Sequence, residues 1–91
     1  MNHDQFITAA KQAVAEYTNE HMDATDNFHI TPEDVYVVWS VKALQNSKAL
    51  LSTNVTDGMY YELTLNGNKG EIYFDAYKKF QNKAIKVGES K

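Results

Sequence analysis

Four side chains able to ligate a metal, His21, Asp23, Asp26 and His29, fall within a nine-residue stretch. Imidazole and carboxylate both bind zinc and other divalent ions. Their spacing matches no metal pattern, however, and the stretch reads as a polar connection with His21 ending a helix, where a cationic imidazole would suit the C-terminal dipole. Asp23 to Asp34 also overlays a twelve-residue calcium loop, with Thr25, Asn27 and Ile30 at tolerable positions. The overlay fails chemically: Phe28 stands where Gly must make the sharp turn, Asp34 where the long bidentate Glu belongs, and a strand follows where a second helix should start. Ser40, Ser47 and Ser52 are candidate nucleophiles, but no His falls within the sheet region around them to act as base, and a carboxylate pair has no cleft to occupy. The four glycines, Gly58, Gly67, Gly70 and Gly88, are scattered and form no phosphate loop. Cys is absent, which removes disulfides, thiolate catalysis and Cys-ligated zinc. Asn54-Val55-Thr56 fits a glycosylation acceptor, read as chance because no secretory signal accompanies it. The expectation is a protein that is not an enzyme and that carries no metal or cofactor.

The elements that must position any other function follow from composition and periodicity. The chain has 91 residues, 43% of them hydrophobic and 12% aromatic, which suits one small domain over residues 1–91. A formal charge of −3 and the lack of any Arg disfavour non-specific attraction to nucleic acid or anionic membranes. No apolar run approaches the roughly 20 residues that span a bilayer, so a cytoplasmic location is expected. Charge is uneven: residues 1–34 carry seven acids and one Lys, whereas residues 71–91 carry five Lys and three acids.

Phe6, Ala10, Ala13, Val14, Tyr17 and His21 recur every three or four residues and predict an amphipathic helix from about Asp4 to Glu20, capped by Asn2 or Asp4. Thr31-Pro32-Glu33-Asp34 predicts one capped helical turn. Val35 to Ala43 is a strand, with Val35, Val37, Trp39, Val41 and Ala43 on one face and Tyr36, Val38, Ser40 and Lys42 on the other. Gln45-Asn46-Ser47, Asp57-Gly58 and Asn66-Gly67-Asn68-Lys69-Gly70 separate further strands at Ala49 to Val55, Met59 to Leu65 and Glu71 to Phe74. Connections this short leave no room for crossover helices, so the sheet is a four-stranded antiparallel meander. After Asp75 as cap, Ala76, Tyr77, Phe80, Ala84 and Val87 fit a helical stripe stopped by Gly88, although Lys83 to Val87 also fits a short fifth strand. The propensities of Ala, Lys and Gln favour the helix. The predicted fold is thus a two-layer α+β domain.

If helices cover the face bearing Trp39, Leu51, Tyr61, Leu63 and Phe74, then Tyr36, Val38, Leu50, Tyr60 and Tyr73 share the opposite face, and Trp39 is a core anchor. A partly apolar, tyrosine-bearing surface open to water marks a protein contact, with a second copy or with another factor, and a homodimer is one form of it. The competing arrangement has the C-terminal segment folded over those tyrosines. A sheet presenting Tyr can also stack unpaired bases, with Lys42, Lys78, Lys79 and Lys83 near phosphates. The acidic total and the missing Arg weigh against that alternative.

Val35-Tyr36-Val37-Val38-Trp39-Ser40, Lys42-Ala43-Leu44-Gln45-Asn46, Lys48-Ala49-Leu50-Leu51-Ser52-Thr53, Asp57-Gly58-Met59-Tyr60-Tyr61-Glu62 and Asp75-Ala76-Tyr77-Lys78-Lys79-Phe80 occur in order, and with the leading helix they cover most of the chain. In these blocks the chain resembles a family of small proteins of unknown function encoded by phages and prophages of low-GC Gram-positive bacteria. The resemblance implies expression in an infected or lysogenised bacterial cell, as a phage-type accessory protein. It implies no reaction and no catalytic residues. Phe80 stands where many relatives are expected to carry Trp.

Overall fold

A computed structural model describes residues 1–22 and 29–88. Helix α1 spans His3–Glu20. Asn2 is its cap: the Asn2 side chain accepts from the Gln5 amide at 2.7 Å, and the Gln5 side chain accepts from the Asn2 amide at 2.9 Å. Two of the amide groups left over at the helix start are satisfied by this reciprocal box, and Asp4 follows in the first turn where a carboxylate suits the dipole. The buried stripe is Phe6, Ala10, Val14, Ala15 and Thr18, with Ala13 and Tyr17 partly covered. His21 does not continue the stripe as predicted. It is the exposed C-cap, its Nδ1–H donating to the Tyr17 carbonyl at 2.8 Å.

The chain re-enters the described region at His29. Asn19 holds it there, its side-chain amide donating to the Ile30 carbonyl and accepting from the Ile30 amide, both at 2.9 Å. A 3₁₀ turn, Pro32–Asp34, carries the predicted Thr31 cap and leads into β1, Val35–Ala43. Strands β2, Asn46–Thr53, β3, Met59–Asn66, and β4, Glu71–Lys78, complete an antiparallel sheet in the order β1-β2-β3-β4. One N-terminal helix on a four-stranded open sheet is an α+β, two-layer arrangement.

The C-terminal helix does not form. Asp75, Ala76, Tyr77 and Lys78 extend β4, paired with Glu62, Tyr61, Tyr60 and Met59. Residues 79–88 have no regular structure, and neither the predicted helix nor the fifth strand is present there. Helix propensity differs by only tenths of a kcal/mol among these residues, whereas the ladder supplies partners to four more residues of an edge that already exists.

The hairpin tips differ in detail from expectation. The first turn is Leu44-Gln45, one residue earlier than the predicted break, with Asn46 and Ser47 inside β2. Leu44 takes a left-handed φ of 58°, the sense of twist that two-residue hairpin loops require. Gly67, in the tip joining β3 to β4, sits against that turn: a Cβ there would lie 2.1 Å from the Gln45 carbonyl oxygen.

Helix α1 packs on β1, β2 and β3. Beneath it lie Val35, Ala49, Leu51, Tyr61, Leu63 and Leu65, all buried. Tyr17, Tyr61 and Phe74 form an aromatic cluster with ring centroids 5.1 to 5.7 Å apart. The Tyr61 hydroxyl meets Thr18 at 3.4 Å, and burial pushes its phenol above the ordinary range.

Candidate interaction face of the sheet

The register of β1 decides what the outer face of the sheet presents. Val35 and Val37 pair with Thr53 and Leu51 and face the helix, but the next partners are Trp39 with Leu50 and Ser40 with Ala49. Val38 is therefore the extra residue of a β-bulge, and beyond it every side chain of β1 changes face relative to strict alternation. Trp39 is not the predicted core anchor. It lies on the outer face beside Leu50 and is 42% exposed. Val41 and Ala43 go outward with it, while Ser40 and Lys42 move to the helix side.

Pairing then assembles the outer face row by row. Trp39, Leu50, Glu62 and Asp75 cross the sheet in one line, and Val41, Lys48, Thr64 and Tyr73 in the next. Tyr60 and Tyr77 are direct partners, and Tyr36 pairs with Ser52. Because Ser52 is small and turns its hydroxyl onto the Met59 carbonyl at 2.8 Å, a groove remains there. It has a volume of about 530 Å³ and is bounded by Tyr36, Ser52, Val55, Tyr60 and Lys79.

Of the predicted contact residues, Tyr36, Leu50, Tyr60 and Tyr73 all lie on this face, and Val38 occupies the bulge at its edge, 45% exposed. Trp39, Val41 and Tyr77 belong to the same surface and were not predicted for it. Tyr77 is 51% exposed. No described residue forms a layer over them, so the alternative in which the C-terminal segment seals the tyrosines inside the molecule is not the arrangement observed.

Electrostatically the face is acidic. Glu62 and Asp75 are cross-strand neighbours at its centre. Lys48 lies 3.8 Å from Glu62. Asp75, and behind it Glu62, raise the Tyr77 phenol above its usual range, and the Tyr73 hydroxyl, donating to Glu71 at 2.8 Å, is raised by that bond.

On the helix side, the sheet serines do meet a histidine, contrary to expectation. His3 comes from the first turn of α1, with Nδ1 at 3.0 Å from the Ser47 hydroxyl and Nε2 at 3.2 Å from that of Ser40. A neutral imidazole donates from one nitrogen and accepts at the other, and a hydroxyl does either, so both bonds form in each tautomer. The arrangement straps the helix start to β1 and β2. Sequence spacing conceals it because the partners are 37 and 44 residues apart.

A second cavity of about 390 Å³, at the helix end, is lined by Tyr17, His21, Asp57, Met59 and Tyr61 among others. Its polar groups are engaged locally: His21 with the Tyr17 carbonyl, and the Asp57 carboxylate with the Met59 amide at 3.1 Å. Of the four side chains able to ligate a metal, Asp23 and Asp26 lie outside the described residues, as does half of the calcium-loop overlay that the sequence already fails chemically. Among the described residues no cluster of His, Asp or Glu could hold a metal ion, and no helix is long and apolar enough to cross a membrane.

Fold and site together define a small α+β domain with one sheet face covered by a helix and the other presenting aromatic rings around two carboxylates. Residues 7–87 match the family of unknown function DUF6275, and the chain belongs to that family. No curated protein and no solved structure matches it.

Proposed function

We propose that the protein is a non-catalytic, self-associating or protein-binding module whose contact surface is the outer sheet face. The observation that carries this reading is the set Tyr36, Trp39, Val41, Leu50, Tyr60, Tyr73 and Tyr77, presented around Glu62 and Asp75 by four consecutive strands with no described layer upon it. Large apolar side chains gathered in this number on one open face mark a contact surface more often than a monomer's ordinary exterior, and Tyr and Trp are the residues that contact surfaces favour. The resemblance of the sheet blocks to phage and prophage proteins supports a role as an accessory factor in the cytoplasm of a bacterial host.

Stacking of single-stranded nucleic acid is the weaker reading. Glu62 and Asp75 stand in the middle of the aromatic surface, where a phosphate backbone would have to pass, and Lys42 and Lys78 project from the helix side. A gel shift at low salt tests it, and a salt-sensitive complex would favour it over the protein contact.

The test of the main reading is sedimentation of the Tyr60→Ser/Tyr73→Ser variant. Both side chains sit outside the core, so circular dichroism should stay native while self-association weakens. A wild type that is monomeric at every concentration, or a variant that associates as tightly as wild type, refutes the self-associating form of this reading.

A further inference from the structure

Beyond Lys78 the chain runs as a segment, residues 79–88, in which every residue is exposed. Phe80 is 93% exposed, and Ile85 and Val87 nearly as much. Three apolar side chains of this size on a ten-residue stretch, together with Lys79, Lys83 and Lys86 and no acid, make a cationic, greasy arm. The outer sheet face has the opposite character, with aromatic rings around Glu62, Asp75 and Glu71, Lys48 beside Glu62, and Lys79 only at the rim of its groove. We propose that the arm of one copy lies across the outer sheet face of a second copy, and the second arm across the first, giving a closed two-fold dimer. This rests on the reading of that face as a protein contact surface and names its occupant.

Reach, direction and area all support exchange. Ten extended residues span at most about 33 to 36 Å, while four strands spaced about 4.8 Å apart make a face roughly 14 Å across, so the arm is long enough to cross it. Its direction is set at the root: the Lys79 amide donates to the Gly58 carbonyl at 2.8 Å, carrying the line of β4 onward past the sheet end. Returning over its own sheet would require a reversal immediately afterwards, for which Phe80-Gln81-Asn82-Lys83 offers Asn82 alone among the residues that favour turns. Reaching a neighbour needs no reversal.

The area is of the right size. The chain exposes 6586 Å², against about 5,400 Å² for a compact monomer of its mass. Its radius of gyration is 15.8 Å, against about 12 Å for a compact domain of this length. An excess near 1,200 Å² per copy exceeds the roughly 800 Å² per partner that a stable interface covers. Two-fold exchange also pairs each acidic face with one arm, so neither charge pattern is left unmatched.

Sedimentation of the full chain tests this. The Phe80→Ser/Ile85→Ser variant alters only exposed side chains of the arm, and its dimer dissociation constant should rise at least about 100-fold. Reversing the arm with Lys83→Glu/Lys86→Glu should also weaken the dimer, and adding Glu62→Lys/Asp75→Lys to that chain should restore much of it. If the arm variant dimerises like wild type while Tyr60→Ser/Tyr73→Ser dissociates, arm exchange is overturned and the face remains the contact surface. If neither variant changes the mass of a wild-type dimer, both fall. Failure of the double reversal to recover dimer overturns the pairing of arm lysines with face carboxylates.

Discussion

Trp39 offers the sharpest test of the outer face, because it is the only Trp in the chain and the bulge alone decides on which side it lies. A Trp side chain has up to about 250 Å² to bury, so an exposure of 42% leaves roughly 100 Å² on each copy open to solvent. If association covers half of that on both copies, about 100 Å² leaves water per dimer, worth about 2.5 kcal/mol at 25 cal/mol per Å². The Trp39→Ala dimer should therefore dissociate about 60-fold more readily, measured by sedimentation with the six tyrosines as chromophores. Loss of monomer stability should be small, about 1 to 2 kcal/mol for an outward cross-strand contact with Leu50, against the 3 to 5 kcal/mol that truncating a core aromatic costs. Wild-type fluorescence gives an independent reading: emission should move to shorter wavelength with rising protein concentration, as the indole leaves water. Emission that stays constant through the concentration range of dimerisation, or an unchanged dissociation constant joined to a core-sized loss of stability, would refute the placement of Trp39 in the contact.

Three further outcomes follow from other parts of the fold. Gly67→Ala places a methyl 2.1 Å from the Gln45 carbonyl oxygen and 2.9 Å from its carbon; backbone cannot rotate aside, so about 1 to 3 kcal/mol of overpacking should replace the usual small gain of Gly→Ala. The urea midpoint should fall by about 1 M or more, and a raised midpoint would deny the contact between the two hairpin tips. His3→Ala strands the buried Ser47 hydroxyl and should cost about 1 to 3 kcal/mol, with a smaller loss in a Ser47→Ala background; strict additivity in that cycle would show that the strap is idle. Burial raises the Tyr61 phenol above its unfolded value, so the native state holds its proton where the unfolded chain gives it up. Stability from this group is whole below about pH 10 and falls as pH rises further, and Tyr61→Phe should flatten the decline to the part due to Tyr73 and Tyr77, as followed by denaturant titration.

The elements with strong local chemistry are legible from the residues. Helix α1, the Thr31 cap, the turn at Gly58 with its φ of 72°, and the order of four antiparallel strands all follow from periodicity and turn residues. What escaped was decided by partners distant in the chain. A strand of Val-Tyr-Val-Val-Trp-Ser-Val-Lys-Ala alternates equally well with or without an extra residue, and only the opposing β2 shows that Val37 meets Leu51 while Trp39 meets Leu50. Asp75-Ala76-Tyr77-Lys78 has fair helix chemistry, so the sequence points Tyr77 to a helix, and no local signal announces that Glu62 to Met59 wait beside it. His3 lacked any local reason to reach the sheet serines. The expected outer-face residues that do lie there, Tyr36, Leu50, Tyr60 and Tyr73, come before the bulge or on strands without one, where simple alternation holds.

The exposed face also follows from a mismatch of layers. A helix of 18 residues is about 27 Å long and 10 to 12 Å wide, enough to cover two or three strands spaced about 4.8 Å apart. It covers β1 to β3 and touches β4 through Tyr17 on Phe74, and Ile72 and Ala76 of β4 remain exposed even on the helix side. The apolar content exceeds what this single helix and sheet interface can bury, and on the outer face most of the surplus is placed as four tyrosines and one tryptophan, with Val41 and Leu50 beside them. Phenol and indole carry a polar group at the edge of a large ring, so they tolerate water in the free chain and still give up considerable area on contact. On the reading proposed above, such a choice lets the uncovered face meet water between encounters, and it calls for a partner that brings apolar side chains together with positive charge to Glu62 and Asp75. The segment 79–88 of this same chain has both.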